Sequence, residues 1–352
     1  MIREARLYMI ADEKRSILRC NVCENRCPIP LGHTGVCGNY ENISGRLYHL
    51  GYGRLSAVES RPIEIKPLFH YWPNSTALTF SNWGCNFHCP WCQNHNLSFR
   101  RPSPDDPYTP PERVVEAALA AGDEGLCASF NEPTTHFDYL LDVFEMGSSK
   151  GLYAAMVTNG YQTLESLRAL YEAGADGWSI DIKGCPKVSE KRILAHVDHM
   201  KVFRDARTLL DLGAHVEMVY LVVTGANDDE ECYKWIVGKH LDVLGPQVPL
   251  HVNRYYPAHR WTAPPTPLAR LLEIAEYARR EGIEYVYVGN TGREEHEATR
   301  CPRCGKTLIT RRQFRVTFFG LNLEDGKYRC PSCGYPVPIK GRYVPGKPLP
   351  LF

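Results

Sequence analysis

Between residues 73 and 298 the chain alternates strand-like and helix-like apolar patterns at least six times, and this limits its fold more than any other feature. TALTF (76–80), GLCASF (125–130), YAAMVT (153–158), GWSIDI (177–182), HVEMVYLVV (215–223), PLHVN (249–253) and EYVYV (284–288) predict strands. PERVVEAALAAG (111–122), FDYLLDVFEMG (137–147), LESLRALYEAG (164–174) and LARLLEIAEYARREG (268–282) predict helices. The first of these has proline at its opening turn and glycine at its end. Strands joined through helices pair in parallel, so an α/β fold with a mostly parallel sheet is expected. Six such units suit an incomplete (β/α) barrel as well as an open doubly wound sheet. Ligands gather at the carboxyl ends of the strands in both.

The cysteines divide the rest of the chain. Eleven of the fourteen fall into three sets: Cys20, Cys23, Cys27 and Cys37; Cys85, Cys89 and Cys92; Cys301, Cys304, Cys330 and Cys333. Metal-like spacing, with no apolar leader in MIREARLYMIADEKRS, points to a reducing cytoplasm. The remaining Cys127, Cys185 and Cys232 read as small buried hydrophobes. No run of 18 apolar residues is present, so no membrane partner is expected. The net charge of +1 gives no general attraction to nucleic acid or acidic lipid. Three segments are expected: a cysteine-rich, metal-binding 1–72, an α/β core of 73–298 and a second metal-binding unit of 299–352.

Cys85, Cys89 and Cys92 stand as Cys-x3-Cys-x2-Cys in GCNFHCPWCQN, and the next cysteine is far off at Cys127. Three thiolates hold three corners of a four-iron, four-sulfur cube and leave one iron free for a substrate. A zinc knuckle with a distant fourth ligand is the competing reading, but zinc sites favour paired Cys-x2-Cys units. Such units do occur in Cys301-Pro-Arg-Cys304-Gly and Cys330-Pro-Ser-Cys333-Gly, which suit a zinc ribbon, with a rubredoxin-like iron as the rival. Residues 301–352 hold ten Lys or Arg against two Asp or Glu. That patch suits RNA or an acidic protein face, although a metal-stapled lid with solvated charges is the preferred reading. Cys20-x2-Cys23-x3-Cys27-x9-Cys37 permits zinc, a single iron or a second iron–sulfur cluster, and a mononuclear zinc or iron is expected.

The cysteine trio resembles the signature of the radical S-adenosylmethionine (SAM) enzymes. The resemblance implies a partial (β/α)6 TIM-like barrel with the cysteine loop after its first strand. It also implies a [4Fe-4S] cluster, SAM and a low-potential electron donor. In that family the reduced cluster splits SAM to methionine and a 5′-deoxyadenosyl radical, which abstracts hydrogen from an unactivated C–H bond. Trp91 matches an aromatic position suited to pack beside the adenine. Asn131-Glu132-Pro133 takes the place of the family's Gly-Gly-Glu-Pro, which makes Glu132 a SAM ligand, with Phe130 and Asn131 in place of the glycines. Thr158-Asn159-Gly160 is similar to the Thr-Asn-Gly of the pyruvate formate-lyase activating enzymes, with Val157 where those often have aspartate. Asp181 and Lys183 repeat the Asp-x-Lys that those enzymes place at the SAM pocket, and two-residue spacing points both side chains one way from a strand. Asn253 is assigned near SAM or substrate, His251 to the core, and Asn290 to the rim.

The order of parts is more specific: a four-cysteine start, the linker Arg61-Pro-Ile-Glu64-Ile-Lys66-Pro67, the trio, Asn-Glu-Pro-Thr, Asp-Ile-Lys, Tyr-Val-Gly-Asn and a last cysteine quartet. This order resembles the AmmeMemoRadiSam-system radical SAM enzymes, which implies Memo-like proteins as partners. Activation of a protein at a glycine, modification of a small molecule or RNA, and non-enzymatic electron transfer or protein interaction all remain open at this point. The charged residues of the linker are candidates to reach the barrel mouth.

Overall fold

The computed structural model describes residues 2–346 apart from 192 and 195. Its central sheet has eight strands: β1 (Ala57–Pro62), β2 (Thr76–Ser81), β3 (Gly125–Ala128), β4 (Tyr153–Thr158), β5 (Ala175–Ile182), β6 (His215–Val222), β7 (Leu250–Arg254) and β8 (Val286–Gly289). Each pairs with the next in chain order. β1 runs antiparallel to β2, and all the other pairs are parallel. A doubly wound sheet would reverse its order at a switch point, and this one does not.

Six longer helices make the crossovers: α1 (Pro111–Ala121), α2 (Phe137–Ser149), α3 (Leu164–Glu172), α4 (His199–Asp211), α5 (Glu230–Leu244) and α6 (Leu268–Glu281). The sequence patterns marked α1, α2, α3 and α6 but gave no reading for α4 and α5. Side-chain acceptors cap three of the helices: Thr163 takes the amide of Ser166, Asp198 that of Met200 and Asp229 that of Cys232.

Period-two alternation gives the sheet two different faces. Leu78, Phe80, Leu126, Met156, Trp178, Ile180, Met218 and Val252 pack in the main core with helix residues such as Phe144, Leu167, Phe203 and Ile274. That core runs on into the N-terminal region through Leu18, Val22, Ile29, Tyr40 and Leu47. On the other face Ala77, Cys127, Tyr153 and Ala155 meet Ile63, Leu68 and Tyr71, so the linker lies across the sheet as a strap. A third core joins Phe69 of the strap, Tyr285 and Tyr287 to Cys301, Leu308, Val316 and Cys330 of the C-terminal region. Arg311 is buried there and donates to the carbonyls of Phe69 (2.7 Å) and Glu297 (2.9 Å).

Cys127 is a buried, free thiol in the strap-side core, as expected. Cys185 and Cys232 are not separate hydrophobes. They form a disulfide across 47 residues, with their Cα atoms 5.4 Å apart, because the crossover after β5 brings the start of α5 beside it. No helix among the described residues is long and apolar enough to cross a membrane.

Candidate active site

β2 delivers the chain to the trio. Gly84 sits there at φ +82°, where a Cβ would meet the Cys37 carbonyl oxygen at 2.3 Å, so only glycine lets the two cysteine segments touch. The Phe87 amide approaches the Cys85 Sγ at 3.4 Å, and the Cys92 Sγ lies 3.5 Å from the Ser98 hydroxyl. The trio's sulfurs do not all lie within 4.8 Å of one another; among the described residues only the C-terminal quartet does so. A spread of this kind suits a multi-iron body better than one ion. Burial pushes the Cys85 thiol well up, helped by Glu132 and Cys89. Burial also pushes Cys89 up to about 12, against the pull of the Lys183 ammonium. These side chains therefore share one electrostatic neighbourhood.

The next strand ends converge on that loop. After β3, Phe130 adopts φ +72° and turns the chain. Asn131 Nδ2 then donates to the Gly84 carbonyl (2.7 Å) and the Asn82 carbonyl (3.0 Å). Glu132 is buried, and its carboxylate accepts four bonds: the Thr134 amide (3.0 Å), the Thr134 hydroxyl (2.6 Å), the Thr158 hydroxyl (2.7 Å) and the Asn159 amide (2.7 Å). Burial raises its pKa and these donors oppose the rise. Three of the four fall on Oε1 and one on Oε2, so Oε2 keeps accepting capacity. Asn159 Nδ2 donates to Asn86 Oδ1 at 2.7 Å, beside Cys85. The ends of β3 and β4 are thus tied to each other and to the trio.

Past β4, Lys183 pairs with Asp181. Burial alone would lower the lysine, but Asp181 and then the Cys89 and Cys92 thiols hold it above its ordinary value. Three buried polar atoms beside the trio have no hydrogen-bond partner among the described residues: Trp91 Nε1, Asn131 Oδ1 and Asp181 Oδ1. A buried polar group left unpaired is costly, so these atoms are the ones a ligand beside the trio could satisfy. Trp91 is buried edge-on against Trp261 at 5.8 Å, on a segment that the sequence reading left unassigned.

Asn253 stands two strands beyond Asp181, against Gly289, whose Cβ would meet its Oδ1 at 2.2 Å. His251 is a core residue: its Nε2 meets the buried Glu217 carboxylate at 2.7 Å, which also holds His215 and the His70 amide. Asn290 donates to the Arg254 carbonyl at the rim. From the strap, Lys66 reaches the end of β3: its Nζ is 3.5 Å from the Ser129 hydroxyl and 4.5 Å from the Phe130 ring centre. It is buried, no ion-pair partner for it is found among the described residues, and burial lowers its pKa.

The two outer cysteine sets differ. Cys301 and Cys333 lie 3.5 Å apart, and Cys304 and Cys330 3.7 Å. Tetrahedral zinc with Zn–S bonds of about 2.3 Å separates its thiolates by about 3.8 Å, so this quartet fits one ion. Of the basic residues counted in 301–352, Arg311 and Arg315 are buried structural donors, and Lys347 lies outside the described residues. The N-terminal quartet lines a cavity instead, with Val22, Ile29, Tyr40, Asn86 and Thr135 among its other walls.

A model of the radical SAM superfamily matches residues 83–236. An uncharacterized protein of Methanocaldococcus jannaschii is 36% identical over 341 residues, covering 96% of this chain and 99% of its own length. A domain of pyruvate-formate lyase-activating enzyme from Bacteroides vulgatus is similar over 47% of this chain and 99% of its own, at 15% identity and a TM-score of 0.40. A radical SAM methyltransferase from Sphaerobacter thermophilus covers 62% of this chain and 67% of its own, at 14% identity and a TM-score of 0.47. The matched region holds the trio, the strand ends bonded to it and the Asp181–Lys183 pair, and on these grounds the chain belongs to the radical SAM superfamily.

Proposed function

We propose that this chain is a radical SAM enzyme in which Cys85, Cys89 and Cys92 hold a [4Fe-4S] cluster beneath SAM, and that it abstracts hydrogen from a C–H bond of its substrate. The observation that carries the reading is the set of buried polar atoms without a hydrogen-bond partner at Trp91, Asn131 and Asp181, beside the three thiols. When bound, the cluster and SAM supply a 5′-deoxyadenosyl radical, given one electron from a low-potential donor. The chain's own part is positioning and exclusion of water. Asp181 and Asn131 offer acceptors to the SAM ammonium and sugar, Asn159 helps to hold the loop beside them, and Lys183 holds Asp181 in place through their ion pair. Trp91 packs beside the adenine. Glu132 fixes Thr158 and Asn159 through its four accepted bonds and adds negative charge near the ammonium. Asn253, farther round the sheet, faces the substrate side.

In this reading the sheet curves as a partial barrel, which its sequential strand order supports. The C-terminal quartet takes zinc in a ribbon, and the cysteine-rich start, the core from residue 73 and the unit from residue 299 divide the work. The protein acts in the cytoplasm. Activation of a glycine in a partner protein is the preferred reaction, and Memo-like partners rest on the order of motifs alone. RNA is disfavoured because Arg311 and Arg315 of the basic segment are spent inside the fold.

The test is anaerobic reconstitution with iron and sulfide, then dithionite and SAM. Methionine and 5′-deoxyadenosine should form, and Cys89→Ala should abolish both. Intact SAM in the reconstituted, reduced wild type would overturn the proposal.

A further inference from the structure

We propose that Cys20, Cys23, Cys27 and Cys37 hold a second iron–sulfur cluster of the four-iron type, placed to hand an electron to the first. A mononuclear zinc or iron was the expectation from spacing, and the geometry points away from it. All four residues line one cavity, yet no three of their sulfurs lie within 4.8 Å of one another. A tetrahedral ion needs its thiolates about 3.8 Å apart. The C-terminal quartet meets that demand in the same chain, with sulfur pairs at 3.5 and 3.7 Å. Among the described residues neither the N-terminal quartet nor the trio forms so tight a group, which suits a larger inorganic body in each.

The walls agree. Val22, Ile29 and Tyr40 are buried and exclude water, while Asn86 lines the cavity and brings a side-chain hydrogen bond to the Cys23 thiol. Hydrogen bonding and exposure at the sulfurs are the means by which a protein sets the potential of such a cluster. The quartet also abuts the trio's loop. The Cys37 carbonyl presses on Gly84, one residue before Cys85. Asn39 Nδ2 donates to the Trp83 carbonyl at 2.7 Å, and Asn25 Nδ2 to the Asn86 carbonyl at 2.9 Å.

The electron step is simple to balance. One electron from a low-potential one-electron donor lowers the charge of the second cluster by one. Its transfer to the first restores the starting charge, and no bond at the N-terminal site forms or breaks. This transfer role rests on the proposed SAM chemistry; the second cluster's existence does not.

Metal and acid-labile sulfide analysis of the full chain after anaerobic reconstitution tests the proposal. A Cys85→Ala/Cys89→Ala/Cys92→Ala variant leaves the N-terminal cavity untouched. It should retain about four iron and four sulfide per chain, against about eight of each in the wild type. Sulfide-free protein holding zinc or one iron at this site, or a variant with no iron, would overturn the second cluster. Dithionite-reduced wild type should show the split, fast-relaxing electron paramagnetic resonance of two interacting spins, which the variant should lack. Two magnetically independent signals would overturn the transfer role. If wild type leaves SAM intact while the variant keeps its iron and sulfide, the SAM reading fails and the second cluster stands.

Discussion

Glu132 joins four donors from three residues, and its worth is tested by changing as little as possible. Glu132→Gln keeps the shape but turns an NH2 toward one set of donors, so either the Thr158 hydroxyl or the Asn159 amide loses its acceptor. A displacement of about 1 Å at a reacting centre costs about 10²-fold in rate. The expected result is a fall of that order in 5′-deoxyadenosine formation at saturating SAM, with iron content unchanged. An unchanged rate would remove Glu132 from the positioning set. Lys66 makes the opposite case. Its buried ammonium has a hydroxyl at 3.5 Å and an aromatic face beside it, with Cys127 and Glu59 acting from farther off, a poor exchange for water. Lys66→Met should therefore stabilise the chain by about 1–3 kcal/mol, read as a higher urea midpoint. A loss of stability would mean that the ammonium has a partner in the fold.

At the scale of elements, the strand end that carries Asp181 and Lys183 is held from its C-terminal side. The Cys185–Cys232 disulfide ties that crossover to α5 across 47 residues. Closing a loop of that length restricts the unfolded chain by about 4 kcal/mol in the entropic account. Cys232→Ala should lower stability by up to that amount in denaturant titrations under oxidising conditions and by much less with reductant present. Equal stability in both would show that the bond does not persist in solution. Gly84 is the junction between two elements rather than a part of either. Gly84→Ala forces a side chain into φ +82° and into the Cys37 carbonyl, so iron should be lost from the trio and from the N-terminal cavity together. Loss from the trio alone would mean that the two segments are mechanically independent. Neither effect could be read from the chain order. The trio and the Asp181–Lys183 pair were legible because each is local, its geometry set by a loop or a strand. The Cys185–Cys232 pair, the four donors on Glu132 and the approach of Cys37 to Gly84 were not, because folding makes those neighbours. α4 was a different miss. Its Val202, Phe203, Ala206 and Leu209 are buried at helical spacing, so the signal was present in the sequence.

For the molecule as a whole, acid should be the weak direction. Burial lowers His70 and His136 to about 3 and His199 and His240 to about 4, from an ordinary value near 6.5. A group depressed in the folded state favours folding above its unfolded value, and that advantage is lost as pH falls toward the folded value. Burial raises the Glu64 and Asp205 carboxyls to about 7, which works the other way: they favour folding at low pH and lose that advantage as pH rises through about 7. At pH 5 to 6 the unfolded chain binds a proton on each of the four histidines, while the folded chain binds one on each of the two carboxyls. His49, His88, His196 and His259 are also lowered, and Glu132, Asp138 and Glu297 also raised. Histidines still outnumber carboxyls, so stability should rise with pH across this window, by about 1.4 kcal/mol per pH unit for each net proton. One histidine isolates the cause. His240 is buried in α5 and its Nε2 meets the Val248 carbonyl at 2.9 Å, a bond that a glutamine amide can keep. His240→Gln should match the wild type above pH 7 to within the cost of repacking. Toward pH 5 its urea midpoint should fall more gently, by about 1.4 kcal/mol per pH unit less. Parallel pH profiles for the two proteins would mean that His240 does not stay neutral in the folded state and has no share in the acid sensitivity.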